Sequence, residues 1–380
     1  MPTTVTACRV LRSMRGGTQA CLIEADDGRF YVVKFSNNPQ HRRVLVNEMV
    51  ASVLLRYLQI STPSCAIVRI TSEFLGSNPD LSIQFGHETV RVQEGRHYGS
   101  LYPGDPDRNA VYDFIPDILL ETVTNLAEFL GVLVFDKWAG NLDWRQAIFF
   151  RARPHKWLAS PDCHPLTVRF LALMIDQGYA FGGPKWRFFD CPTEGIYISK
   201  QVYKQVVGWD SFQPWLDRII ELPSSLLDEA YRQVPREWID GDAVALERLL
   251  EDLYRRRRGV PDLLQACKAS QPGLFPEWCN SSSGYRSSPR QRVVPILSAA
   301  GKRRARDITV AQGKSHDALR RGHPREPMAR ATPSSLTEDR PSGLSDPEES
   351  GAIKKPPASI NVNVGRRYTA VLARRPIESP

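Results

Sequence analysis

Five short polar clusters in this 380-residue chain carry side chains suited to handling phosphate and metal. The first is Gly16-Gly17-Thr18-Gln19, where residues without side chains let backbone N–H groups approach phosphate oxygens closely. Lys34 follows in Val32-Val33-Lys34-Phe35, a cation inside an apolar run. Glu48 lies three residues after Leu45 and seven before Leu55, on the apolar stripe of a helix-like segment. A carboxylate there is costly without a partner, and Lys34 is the natural one. The fourth cluster, Phe135-Asp136-Lys137-Trp138-Ala139-Gly140-Asn141-Leu142-Asp143-Trp144-Arg145-Gln146, offers two acids and an amide around a loop. The last is Met174-Ile175-Asp176-Gln177-Gly178, an acid at the end of an apolar strand with glycine two residues on. Phosphoryl transfer asks for such parts: a phosphate cradle, a cation, metal-binding groups, and a carboxylate that orients the attacking hydroxyl.

Each cluster also has a plainer reading. Two glycines between strands are usually only a turn, and a strand lysine often snorkels to water from an edge. Glu48 reads equally as a surface acid, and Asp and Asn are common turn residues. The ordered set of five is the signal, more than any member. Asp162-Cys163-His164 and Asp190-Cys191 contain ligand types without zinc spacing. Arg255-Arg256-Arg257-Arg258 reads as a solvated helix end that complements the dipole.

The elements that must position these groups follow from periodicity. Residues 4–13, Ala20 to Ala25 and Phe30 to Phe35 predict three strands, the last two joined by the hairpin signal Asp26-Asp27-Gly28. A helix is expected from about His41 to Leu58, then a strand from Ser64 to Thr71. Residues 76–112, rich in Gly, Pro and Asp, yield only a strand near Thr89 to Val92. Glu121 to Trp138 predicts one long helix, Ala147 to Phe150 a strand, and Leu171 to Ile175 another. Ser199 to Gly208, Asp210 to Glu221, Ser224 to Gln233 and Gly241 to Arg258 predict helices. Strands with one helix, followed mostly by helices, make an α+β, two-lobed pattern.

Composition divides the chain again. Residues 281–380 hold two aromatics, Tyr285 and Tyr368, eleven prolines, and 19 Lys+Arg against 9 Asp+Glu, a net of +10. Such a segment cannot bury enough apolar surface to offset ordering, so it is expected to be a basic, disordered tail. Residues 1–280 carry 31 Lys+Arg and 33 Asp+Glu, so their near-neutral balance argues against a nucleic-acid-binding domain. Seven widely spaced cysteines without a C-x-x-C pair suit reduced thiols, and no signal peptide or membrane-length apolar run is present. The expectation is a cytoplasmic protein with no membrane association, whose tail adds weak polyanion binding.

Gly-Gly-Thr-Gln between two strands, Val-Val-Lys-Phe, the Asn47-Glu48 pair, Gly140-Asn141-Leu142-Asp143 and Ile175-Asp176-Gln177-Gly178 together resemble the HipA-like kinases over roughly residues 5–250. The Gly-Asn-x-Asp loop also resembles that of phosphatidylinositol kinases and secretory-pathway kinases. The resemblance implies a protein-kinase-like fold, with a β-rich N-lobe over about 1–115, a helical C-lobe over about 116–258, and a linker at 259–280. It implies ATP and Mg²⁺ as cofactors, with Gly16, Gly17, Thr18, Gln19 and Lys34 at the nucleotide. Glu48 would fix Lys34, Asp143 would orient the acceptor hydroxyl, and Asp176 would bind Mg²⁺. The general kinase loop separates its catalytic Asp and metal-binding Asn by five residues, which Asp136 and Asn141 match. Asp136 lies within the helical stripe, however, so Asp143 is the expected base and Asp136 a structural acid. Asn141 or Gln146 would be the auxiliary metal ligand, Gln146 departing from the family's Asn. The implied acceptor is a protein Ser or Thr. The alternatives are a small-molecule kinase, or a catalytically inactive nucleotide-binding scaffold that acts through its tail.

Overall fold

The computed structural model describes residues 2–158 and 163–278. The expected tail at 281–380 lies outside the described residues. Among those described, no helix is long and apolar enough to cross a membrane.

The amino-terminal part is built on strands β1 (Thr3–Ser13), β2 (Cys21–Ala25) and β3 (Phe30–Lys34), which pair antiparallel in sequence order. Helix α1 (Arg43–Tyr57) and strand β4 (Cys65–Ile70) follow, then α2 (Ser72–Ser77), the hairpin β5 (Ser82–Phe85) and β6 (Glu88–Arg91), and β7 (Gly95–Leu101). Five strands close into a barrel in the order β1-β2-β3-β7-β4, with β1 and β4 parallel where they meet. Alternation along the strands sends Val5, Ala7, Ile23, Tyr31, Val33, Val68 and Ile70 into one apolar interior. Cys21 pairs with Val33, so the Gly16–Gln19 turn and Lys34 lie at the same end of the barrel.

The rest of the described chain runs β8 (Val111–Tyr112), α3 (Asp117–Leu120), α4 (Glu128–Ala139), β9 (Gln146–Ala152) and β10 (Arg169–Ile175). Helices α5 (Trp215–Ile220), α6 (Ser224–Gln233), α7 (Ala243–Arg256) and α8 (Val260–Ser270) complete it. Strands β10, β9 and β8 form a small antiparallel sheet. The main core joins α1 to α4 and to the later helices, and every residue of α1 from Val44 to Leu55 is buried. An apolar helix with no polar face is one enclosed on all sides, and α1 sits between the barrel and the helical half.

Several expected elements differ. The long helix over 121–138 is interrupted, because Asn125 exchanges two hydrogen bonds with the Ala172 backbone, at 2.8 and 2.9 Å, and Val123 bridges to Phe170. An amide that bonds to neighbouring backbone competes with helix formation. The helix over 210–221 breaks at Pro214, and only Lys200–Tyr203 of the 199–208 segment is helical, as a 3-10 turn. Strand β7 went unseen in 76–112 because its polar and glycine residues mask a central barrel strand. His97 there is fully buried; its Nδ1 accepts from the Ser36 N–H at 2.9 Å and its Nε2 pairs with the Gln93 carbonyl at 3.0 Å.

The linker expected at 259–280 is a correction. Helix α8 occupies it, with Pro261 in the first turn where a missing N–H costs nothing, and Leu264, Cys267, Leu274, Phe275 and Trp278 are buried in the main core. The Arg255–Arg258 run is not uniformly solvated either. Arg257 is buried, donates to the Ile220 and Tyr254 carbonyls at 3.1 and 2.7 Å, and stacks on the Tyr254 ring.

Candidate active site

Lys34 closes β3 at the barrel end that faces α1. Its ammonium, buried with the residue 8% exposed, donates to Glu48 of α1 and, at 2.7 Å, to Asp176 Oδ1. One cation thus joins three elements, with 142 residues between Lys34 and Asp176. Burial alone would lower the Lys34 pKa, but the two carboxylates more than reverse this and hold the amine charged. Burial likewise pushes the Asp176 carboxyl up, and Lys34, Arg145 and Gln146 more than reverse it, leaving Asp176 below the ordinary carboxylate value.

Asp176 directly follows β10 with its backbone at φ +60°. That left-handed region is uncommon for a residue with a side chain, though Asp enters it more readily than most, and such outliers gather at functional sites. The β9–β10 register sets Gln146 opposite Ile175, which brings the Gln146 amide within 3.1 Å of Asp176 Oδ2. After Asp176 the chain turns sharply through Ala180–Trp186. Asn47 of α1 secures that turn, donating to the Gly178, Ala180 and Gly183 carbonyls at 2.7, 3.0 and 3.2 Å and accepting from the Trp186 indole at 2.7 Å. Arg43, one turn earlier on α1, stacks on the Trp186 ring and pairs with Asp242.

The loop after α4 is organised by Arg145. This fully buried guanidinium grips Asp136 through Nε at 2.8 Å and through Nη2, while Nη1 donates to the Ile175 carbonyl at 2.9 Å and to Gln177 at 2.7 Å. The pair therefore ties the loop to the strand end that carries Asp176. Asn141 is buried with both amide atoms engaged, donating to Asp136 at 3.1 Å and accepting from the Asp143 N–H at 3.1 Å. Asp143 keeps a partly exposed side chain that caps the Trp144 N–H at 2.8 Å. Both Asp143 and Asp176 raise the pKa of Tyr179 behind the burial that dominates it, so the two carboxylates share one neighbourhood.

Two further groups support this loop. Lys137, buried beside Asp136, donates to the Pro192 carbonyl at 2.8 Å and to the Glu194 carbonyl. Gly195, at φ +70°, lies so close that a Cβ would fall 2.6 Å from Cβ of Asp136. Its N–H donates to the Asp143 carbonyl at 2.9 Å.

The phosphate-cradle candidates are arranged differently from one another. Gly16, at φ +126°, has open space around it, and Thr18 is buried. A Cβ on Gly17 would meet the Gln40 amide at 2.3 Å. The Gln19 side chain is committed to the Gln84 backbone, donating at 2.7 Å and accepting at 2.8 Å, which fastens the turn to β5. Arg145, Lys137 and Trp186 escaped sequence reasoning, which weighed acids and glycines as chemistry but not the cations and indole that hold them. An Arg two residues after Asp143, in a loop flanked by apolar runs, was the available signal. Among the described residues no three His, Cys, Asp or Glu side chains converge as a metal set.

Residues 8–148 match the family model of the HipA-like kinases. That span contains all the site residues above from Gly16 to Gln146 and ends before Asp176. The curated proteins contain no match. Among solved structures, the chain is similar to the Golgi casein kinase with Mn and ADP bound, at 13% identity and a TM-score of 0.41, over 74% of this chain and 78% of that one. It is also similar to the Golgi casein kinase alone, at 12% identity and 0.38 over 71% and 74%, and to hydra Fam20 with sugar, at 13% and 0.32 over 72% and 87%.

Proposed function

We propose that this chain, HipA-like over residues 8–148, is a kinase that transfers the γ-phosphoryl group of ATP to a hydroxyl, with the two parts of the fold acting as its lobes. The observation that carries the reading is the single Lys34 ammonium shared by Glu48 and Asp176. Burying a cation against two acids from distant elements is a costly way to stabilise a fold, and a direct way to hold a phosphate-binding lysine beside a metal-binding acid.

In this reading Glu48 positions Lys34 for the nucleotide phosphates, and backbone N–H groups of Gly16, Gly17 and Thr18 face them. Gln19 holds that turn in place. Asp143 accepts the proton of the acceptor hydroxyl. The acceptor oxygen bonds to the γ-phosphorus as the bond to the β–γ bridging oxygen breaks, and ADP departs. Asp136 is structural, because its carboxylate is spent on Arg145 and Asn141.

The donor set fits a hard divalent cation such as Mg²⁺, which takes oxygen ligands and relies on substrate phosphates and water to complete its shell. Asp176, with a side chain 32% exposed, and Gln146 would hold it. Gln146 suits this better than Asn141, whose amide is fully engaged, although its amide must turn its oxygen toward the metal. When bound, the metal neutralises charge on the β- and γ-phosphates.

The test is incubation of the full chain with γ-labelled ATP and Mg²⁺, with and without proteins and small alcohols as acceptors. Label should pass to a hydroxyl in the wild type and not in Asp176→Ala. A wild type that transfers label to neither class would overturn the reading.

A further inference from the structure

Pairing between extended segments continues beyond Asp143. The Asp143 carbonyl accepts from the Gly195 N–H at 2.9 Å, the Arg145 N–H donates to the Ile196 carbonyl at 3.2 Å, and Arg145 forms an isolated parallel bridge to Tyr197. Both members of that bridge are buried, whereas Trp144 and Ile198, each next in chain to one of them, are 60% and 65% exposed. Successive side chains of an extended segment alternate between faces, so these two project outward together. Nothing in the packing requires an indole at this position. Trp144 is the most exposed Trp among the described residues, and its ring has no hydrogen-bond or aromatic partner there. Its backbone, in contrast, is fixed, because the Trp144 N–H donates to Asp143 Oδ1 at 2.8 Å. The indole therefore stands at a set distance from the carboxylate proposed to take the acceptor's proton.

Ile198 also walls a cleft of about 550 Å³ together with Pro276 and Phe114, which is 57% exposed. Trp144, Ile198 and Phe114 are thus large apolar side chains left more than half open around the proposed base. Small-molecule sites bury most of their ligand, whereas open apolar faces are what protein partners cover. Charge gives this face no basis for selection. Asp117 and Glu121 are matched in number by Lys200 and Lys204, and the two carboxylates keep their charge while accepting from Ser199 at 2.7 Å and Gln201 at 2.6 Å. Apolar contact is what the face has to offer.

We propose that Trp144 is an acceptor-binding residue, and that with Ile198 it selects a protein Ser or Thr flanked by large apolar side chains. Any hydroxyl delivered to Asp143 must pass beside the indole, because Trp144 follows Asp143 directly and is tied to its carboxylate. An extended segment advances about 3.3 Å per residue, so the side chains that meet the ring belong to the one or two residues on either side of the hydroxyl. A Trp covered in this way removes about 200 Å² from water, and Trp is among the side chains that contribute most where proteins meet. The assignment rests on the proposed kinase reading for the reaction, whereas binding to this face needs no turnover.

The test uses the full chain and two fluorescent twelve-residue peptides of equal charge, each with a single Ser. In one the two residues on each side of the Ser are Leu, and in the other they are Asn. By fluorescence anisotropy the Leu peptide should bind at least about tenfold more tightly. Trp144→Ala should weaken the Leu peptide by about tenfold and leave the Asn peptide as it was, Trp144→Phe should keep most of the preference, and Ile198→Ser should reduce it. The KM for the Leu peptide in label transfer should follow the same order, with the KM for ATP unmoved. Both positions are exposed, so melting temperatures should match the wild type, a result that separates lost binding from lost fold. Equal affinity for the two peptides, or an unaltered preference in folded Trp144→Ala, overturns the proposal. So does free serine phosphorylated in preference to the Leu peptide. Transfer to both peptides with no dependence on Trp144 removes this role and leaves the kinase reading. Trp144-dependent binding without transfer to either peptide keeps the face as a docking surface and removes the kinase reading.

Discussion

Each acid of the loop has a distinct environment, and substitution should separate them. Asp143→Ala removes a partly exposed carboxylate whose one side-chain bond caps a turn, so it should fold normally and lose about 10²–10⁴ in transfer rate. Asp136→Ala instead strands the buried Arg145 guanidinium, which should cost about 3–5 kcal/mol of stability. Urea melts and label transfer on both variants check this; a folded, inactive Asp136→Ala beside an active Asp143→Ala would reverse the assignment. Lys34→Met raises the same issue, because it leaves Glu48 buried without its cation. It should lose both ATP-induced stabilisation and basal stability. Lys34→Met/Glu48→Met should recover part of the basal stability while remaining inactive, since the double change removes the Lys34–Glu48 pair but leaves Asp176 without the lysine. A double variant no more stable than Lys34→Met would show that the pair is not coupled in this way.

The relation between α1 and the turn after β10 determines whether Glu48 and Asp176 meet at one lysine. Asn47 carries most of that connection, and Asn47→Ala would leave the Gly178 and Ala180 carbonyls and the Trp186 indole without their partner, while the Gly183 carbonyl would keep the Trp186 N–H. We expect a loss of about 2 kcal/mol or more, with transfer falling further than stability alone explains. Thermal melts and turnover of the same preparation check it, and an active variant would show that Lys34 alone holds Asp176. On β7, burial depresses the pKa of His97 to about 4 from an ordinary 6.5. Between those values the unfolded chain takes up a proton that the folded chain refuses. The stability His97 contributes is therefore complete above about pH 6.5 and lost as pH falls toward 4, by at most about 3 kcal/mol. His97→Gln, which keeps an acceptor and a donor, should flatten this part of the pH–stability curve. An unchanged slope would assign the acid sensitivity elsewhere.

For the molecule as a whole, charge sorts by region, with a net of +10 in residues 281–380 and −2 in 1–280. Binding to polyanions should therefore depend on the carboxy-terminal hundred residues and weaken steeply as salt rises. Full-length protein should leave a heparin column at higher salt than residues 1–280, with ATP turnover the same in both. Equal elution would remove the tail from any such role. Residues 1–280 have no comparable excess, in keeping with the proposed reading, in which one buried lysine meets the phosphates.

Much of the site was legible in the sequence because the relevant signals are local. A glycine pair between alternating runs, Asp26-Asp27-Gly28, Lys34 in an apolar strand and Asp176 at a strand end each follow from a few neighbouring residues. Strands β1 to β4, helix α1 and helices α6 and α7 were readable for the same reason, since period and turn chemistry act over one or two turns of chain. Strand β7, helix α8 and the break between α3 and α4 were not, because partners distant in sequence override local preference there. His97 is tolerated in a barrel strand by two backbone groups, and Asn125 leaves a helix to bond β10. The pairing of buried charges depends on closure in the same way. Composition states that Lys34, Arg145, Glu48, Asp136 and Asp176 exist, whereas only packing α1 between barrel and helices assigns Lys34 to Glu48 and Asp176, and Arg145 to Asp136. A charge removed from water must take whichever partner the fold delivers, and that delivery spans up to 142 residues of chain.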